Sequence, residues 1–125
     1  MDRPVLLFDG ECGFCTRSLG WLRRLDRHGR IETLPYQLPG APESIGAGFD
    51  ECSRSVQWRG PDGTRLAGAA AVNAALGSAL GTALPLRLYR LCSGPQERLY
   101  DVVASNRRRL PGMRPWCSSH PGQCR

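Results

Sequence analysis

The chain has 125 residues, one ordinary domain that can bury a core without cross-links, so its six cysteines are not required as staples. The formal net charge is +6 and every basic residue is arginine; spread along the chain, this charge favours acidic partners in a general way and defines no nucleic-acid site. The most apolar stretch, residues 67–84, is rich in Ala and Gly and carries Asn73, Ser78 and Thr82, whereas a membrane span needs about 20 strongly apolar residues; a packed helix is expected and no span.

Residues 4–8 are predicted as a short buried strand, an apolar run closed by Asp9-Gly10. This run is too short for a signal peptide and meets an acid at once, so the chain is expected to be cytoplasmic. A helix follows from 13 to 28. Cys15, Leu19, Leu22 and Leu25 recur on its buried face, and His28-Gly29 is a stop signal. Residues 31–34 suit a second strand. Residues 35–48 are loop-like, with room for one short helix near 42–47. Val56-Gln57-Trp58 and Thr64-Arg65-Leu66 flank a Gly-Pro-Asp-Gly turn, a hairpin pattern. Helices are then expected over 69–80, from Pro85 to Leu91 and over 97–110. The strand–helix–strand, hairpin and helix order is that of a thioredoxin-like α/β fold: a three-layer α/β/α sandwich with a small mixed sheet and extra C-terminal helices. Residues 1–110 make up this domain and 111–125 an irregular cysteine-containing tail.

The first strand–helix junction carries Cys12-Gly13-Phe14-Cys15. The attacking species in disulfide exchange is a thiolate, and unpaired N–H groups with the helix dipole stabilise negative charge at a helix amino terminus. Cys12 falls there, and Cys15 lies one turn on, at a Cα separation of about 5–5.5 Å that suits a disulfide. The pattern offers an exposed nucleophile, Cys12, and a more buried resolving thiol, Cys15. In a cytosolic chain such a pair is more often redox-active or metal-binding than structural. Arg17 would help the thiolate by folding back. Asp9 is placed to cap the turn through backbone N–H groups, or to accept the proton of Cys15. The expected partners are protein or small-molecule thiols and disulfides and an unidentified electron donor, with no nucleic acid, no membrane and no cofactor beyond the dithiol itself.

Residues 6–15, Leu-Leu-Phe-Asp-Gly-Glu-Cys-Gly-Phe-Cys, resemble the DCC family of thiol–disulfide oxidoreductases, whose D-x-x-C-x-x-C motif is matched by Asp9, Cys12 and Cys15. Leu34-Pro35-Tyr36-Gln37 and residues 99–107 resemble it as well. The resemblance implies a thioredoxin-like fold and a redox role centred on the two cysteines. One departure from the wider thioredoxin pattern is the lack of a proline in residues 50–55, ahead of the third strand, where a cis-proline normally shapes the substrate groove.

Two alternatives remain open at this point. In one, Cys12 and Cys15 join Cys117, His120 and Cys124 of the tail in a zinc site; in the other, the protein is a redox-inert thioredoxin-like interaction partner. Cys117 is also placed to pair with Cys124, or a tail cysteine to exchange with Cys12. Cys52 is expected to face the site from the third strand or to fill the core, and Cys92 to be buried and inert. Trp21 and Trp58 are read as packing residues and Trp116 as a pin for the tail. Residues 107–109 are read as a solvated helix end, with Tyr100 and Asn106 in packing and capping.

Overall fold

The computed structural model describes residues 3–124. Its elements are β1 (Val5–Phe8), α1 (Gly13–Leu25), β2 (Glu32–Pro35), α2 (Ala41–Ser44), α3 (Phe49–Arg54), β3 (Gln57–Arg59), β4 (Arg65–Ala67), α4 (Gly68–Leu80), α5 (Leu84–Leu91), α6 (Ser93–Asn106) and α7 (Trp116–Ser119). The sheet order is β2-β1-β3-β4, with β1 parallel to β2 and antiparallel to β3, and β3 antiparallel to β4. This is the thioredoxin-like arrangement expected from the sequence.

The central strand is apolar at every position because both its faces are covered. Val5 and Leu7 point into one core with Tyr36, Ala41, Ile45, Ala47 and Cys52, under α2 and α3. Leu6 points into the other, with Ile31, Trp58 and the alanines 71, 74, 75 and 79 of α4, and Leu22 of α1 packs against it. Small residues along α4 let that helix lie close to the sheet. Leu7 is the largest aliphatic side chain sealed from solvent. Burial of a side chain of this size contributes about 2 kcal/mol, multiplied across both faces.

Several boundaries differ from expectation for identifiable reasons. Helix α1 ends at Leu25 rather than 28 because the Asp26 carboxylate turns back to accept the N–H groups of Arg30 and Ile31, both at 3.0 Å. Leu25 is consequently exposed, not part of the buried face. Residues 50–55 do not lead into β3 as an extended segment. Residues 50–54 lie in α3, with Ser55 as its C-cap; the helix has acids in its first turn, Arg54 in its last, and the Glu51 side chain accepting the Gly48 N–H at 3.0 Å. Cys52 is therefore a buried core residue of a helix, and burial pushes its thiol pKa up. Helix α6 starts and ends four residues earlier than the 97–110 expected. Pro95 sits in its first turn, where no N–H is missed, and Cys92 at the α5–α6 junction is exposed rather than buried. Trp58 is core at 4 % exposure, while Trp21 is half exposed. Among the described residues no helix is long and apolar enough to cross a membrane.

The tail is not loose. Residues 112–117 fold back over the β1–α1 junction: Met113 N–H donates to Gly13 O at 3.2 Å, Trp116 N–H to Thr16 Oγ1 at 3.2 Å, and Cys117 N–H to Gly10 O at 2.8 Å. The Trp116 ring stacks on His120 at 3.8 Å, and His120 Nδ1 meets Trp116 O at 2.8 Å.

Candidate active site

Strand β1 delivers Asp9 to the carboxyl edge of the sheet, and a tight turn follows in which Cys12 N–H donates to Asp9 O at 3.2 Å. Cys12 is the N-cap of α1, in extended conformation, and its sulfur takes the place of a capping oxygen by accepting the Cys15 N–H at 3.2 Å. No acidic residue occupies the first turn of α1 to oppose a negative sulfur there. The Cys12 carbonyl is engaged as well, by the N–H and the hydroxyl of Thr16 at 3.0 and 2.9 Å. The loop is thus fixed on both sides of the cysteine.

The exposures of the two cysteines are the reverse of those expected. Cys12 is 8 % exposed and Cys15 is only half-buried. Cys12 is covered but not sealed, because it opens into a polar cleft of about 460 Å³ lined by Asp9, Glu11, Tyr36, Ser53, Arg107 and Arg108. Cys15 borders a different space, an apolar groove of about 680 Å³ between α1, α4 and α6. Its partial exposure is therefore to an apolar surface, which hydrates a thiolate poorly. Desolvation is the first cause that pushes the Cys15 pKa from 9.0 up to about 12, followed by its hydrogen bond to Cys12 and the negative charge of Cys12. Cys15 holds its proton while charge resides on its neighbour.

Asp9 is saturated. Its Oδ1 accepts the Glu11 N–H at 3.0 Å and the Gln37 Nε2–H at 2.7 Å, and its Oδ2 pairs with Arg107 Nη2 at 3.0 Å. Burial works against the Arg107 charge, but Asp9, Cys15 and Cys12 outweigh it and hold the guanidinium pKa above its usual value. Arg107 comes from the end of α6, so the ion pair ties that helix to the cysteine turn. No charge pattern in the chain separates Arg107 from its neighbours Arg108 and Arg109; only the fold brings it to Asp9. Arg17 does not fold back to Cys12. Its guanidinium lies over the Trp21 ring at 5.3 Å.

Gln37 is a second residue whose position the sequence did not reveal. It is fully packed, accepts the Gly10 N–H at 3.0 Å and donates to Asp9, so one amide locks two residues of the turn. Gly10 is held so tightly that a Cβ there would lie 2.7 Å from Pro35 Cβ and 2.8 Å from Cys117 Sγ. Tyr100 accepts the Val56 N–H at 2.9 Å, and the Val56 carbonyl accepts the Gly68 N–H at 3.1 Å. Just ahead of β3, where thioredoxin-type proteins carry the cis-proline, both backbone groups of Val56 are therefore already paired. Asn106 closes α6 by donating to Val102 O at 2.8 Å.

The five-residue zinc alternative does not assemble. Cys117 and Cys124 are joined in a disulfide with Cα atoms 5.9 Å apart, which removes both as thiolate donors. Among the described residues no group of three or more His, Cys, Asp or Glu side chains is placed to hold a metal ion.

The match to a known family covers most of this architecture. The family model of DCC1-like thiol-disulfide oxidoreductase matches residues 6–113, from β1 through α6 to the first residues of the returning tail. Neither the curated proteins nor the solved structures contain a significant match. With 108 of 125 residues inside the matched span, counted from 6 to 113, the chain belongs to the DCC1-like thiol-disulfide oxidoreductase family.

Proposed function

We propose that the protein is a cytoplasmic thiol–disulfide oxidoreductase in which Cys12 is the nucleophile and Cys15 the resolving thiol. The carrying observation is the Cys12 sulfur at the head of α1, accepting the Cys15 N–H at 3.2 Å with its partner cysteine one turn behind. The Cys12 thiolate attacks one sulfur of a substrate disulfide, and the other sulfur leaves as a thiolate. Before this step Cys15 is locked as a thiol by burial and by the hydrogen bond and charge of Cys12. Once Cys12 is in the mixed disulfide its charge is gone. Two upward influences on Cys15 vanish, and its proton passes to the departing thiolate. The Cys15 thiolate then attacks Cys12, releases the second substrate sulfur as a thiolate that takes a proton from solvent, and leaves a Cys12–Cys15 disulfide. An external thiol donor restores the dithiol. The resolving thiol is therefore armed by the first attack.

Asp9 serves as an organiser of the turn rather than as a base, because both its oxygens are already engaged by Glu11, Gln37 and Arg107. The polar cleft at Cys12, with Arg107 and Arg108 on its wall, suits a small disulfide or a single protein loop. Trapping tests the proposal. Cys15→Ser protein incubated with cell extract should retain thiol-containing partners on Cys12, released by reductant and identified by mass spectrometry. Recovery no greater than with Cys12→Ser overturns the redox reading.

A further inference from the structure

The tail disulfide lies against the cysteine turn. Cys117 Sγ sits so close to Gly10 that a methyl group on that glycine would be 2.8 Å from it, and Gly10 is two residues from Cys12. The backbone of Cys117 is anchored to the same residue, its N–H donating to Gly10 O at 2.8 Å. On either side the tail is held by Met113 to Gly13 and by Trp116 to Thr16, so it spans the segment from Gly10 to Thr16 that contains both redox cysteines. Cys12 and Cys15 are free while Cys117 and Cys124 are paired, so one dithiol and one disulfide are held at the same turn of one chain. In the compartment proposed above, a disulfide, when present, is usually transient and catalytic or redox-sensing rather than structural.

We propose that Cys117–Cys124 is a second redox centre that exchanges electrons with the Cys12–Cys15 pair, a relay that rests on the thiol–disulfide function proposed for those residues. The Cys12 thiolate attacks Cys117 Sγ, the bond to Cys124 breaks, and Cys124 leaves as a thiolate that takes a proton. Cys15, having lost its proton, attacks Cys12; the Cys12–Cys117 bond breaks and Cys117 leaves as a thiolate that is protonated in turn. Two electrons pass from Cys12/Cys15 to Cys117/Cys124 with no external oxidant or reductant; the Cys15 proton goes to Cys124, and Cys117 takes its proton from solvent. Cys117 is the sulfur attacked because it is the one anchored at Gly10. The tail then carries electrons away from the site or returns them, according to which pair meets the external donor.

The test uses the full chain carrying Cys15→Ser, Cys124→Ser and Cys92→Ser, which leaves Cys12 and Cys117 without their usual partners. After mild oxidation with one equivalent of diamide, acid quench and tryptic digestion, the peptide containing Cys12 should be disulfide-linked to the peptide containing Cys117. The link should form at least about tenfold faster in the folded chain than in urea, the gain expected from a high local concentration. Intermolecular dimers instead, or equal rates in urea, overturn the relay. The Cys15→Ser trapping experiment is read separately: captured external partners without the Cys12–Cys117 link sink the relay alone, whereas the absence of both removes the underlying function.

Discussion

Replacing Arg107 by Gln tests whether the end of α6 is tied to the cysteine turn by charge. The pair is direct, Nη2 to Oδ2 at 3.0 Å, with side-chain exposures of 22 % for Arg107 and 12 % for Asp9. Exposed pairs contribute about 0–1 kcal/mol and breaking fully buried ones costs about 3–5, so this partly buried pair falls between. The Asp9 carboxylate is not orphaned by the change, because Glu11 and Gln37 still donate to it. A loss of about 2 kcal/mol follows, or a fall in Tm of roughly 5–10 °C for a chain of this size. Urea unfolding should show the same shift in midpoint at an unchanged slope. A double-mutant cycle with Asp9→Asn should give a coupling of about 1–2 kcal/mol, and effects that add within about 0.3 kcal/mol would refute the tie. The variant also removes the one positive charge that draws the Cys15 pKa downward. Mixed disulfides on Cys12 should therefore resolve more slowly in Arg107→Gln than in the parent.

Cys15 predicts a pH dependence whose sign is fixed. Its folded pKa of about 12 lies above the ordinary 9.0, so between those values the unfolded chain sheds a proton that the folded chain keeps. The contribution is intact below pH 9 and stability falls as pH rises toward 12; urea midpoints across that window should fall less steeply in Cys15→Ser, and parallel curves would contradict the assignment. Gly13→Ala places a Cβ 2.5 Å from Met113 O, a backbone atom that cannot rotate away. The tail should lift, and the amides of Met113 and Cys117 should exchange at least about tenfold faster while the β1 amides stay protected; unchanged tail protection would refute the strap.

The amino-acid sequence by itself determined the cysteine turn and the frame around it. Val5 to Phe8 form an unbroken apolar run, and Asp9-Gly10 ends it. The Gly-Pro-Asp-Gly turn marks the hairpin, so the sheet and the place of Cys12 at a helix start were legible from local chemistry. The α3 helix was not read from the sequence: its six residues are too few for a helical period to show, despite the acid-first and arginine-last pattern. Tertiary structure alone decided the rest. Which of three successive arginines meets Asp9, why Gln37 is buried, and that Cys117 returns to Gly10 are all contacts across 27 residues or more. Composition and spacing report the forces acting along a few turns of chain. Partners so distant are chosen only when the packing of α6 and the tail against the β1–α1 junction fixes who can reach whom.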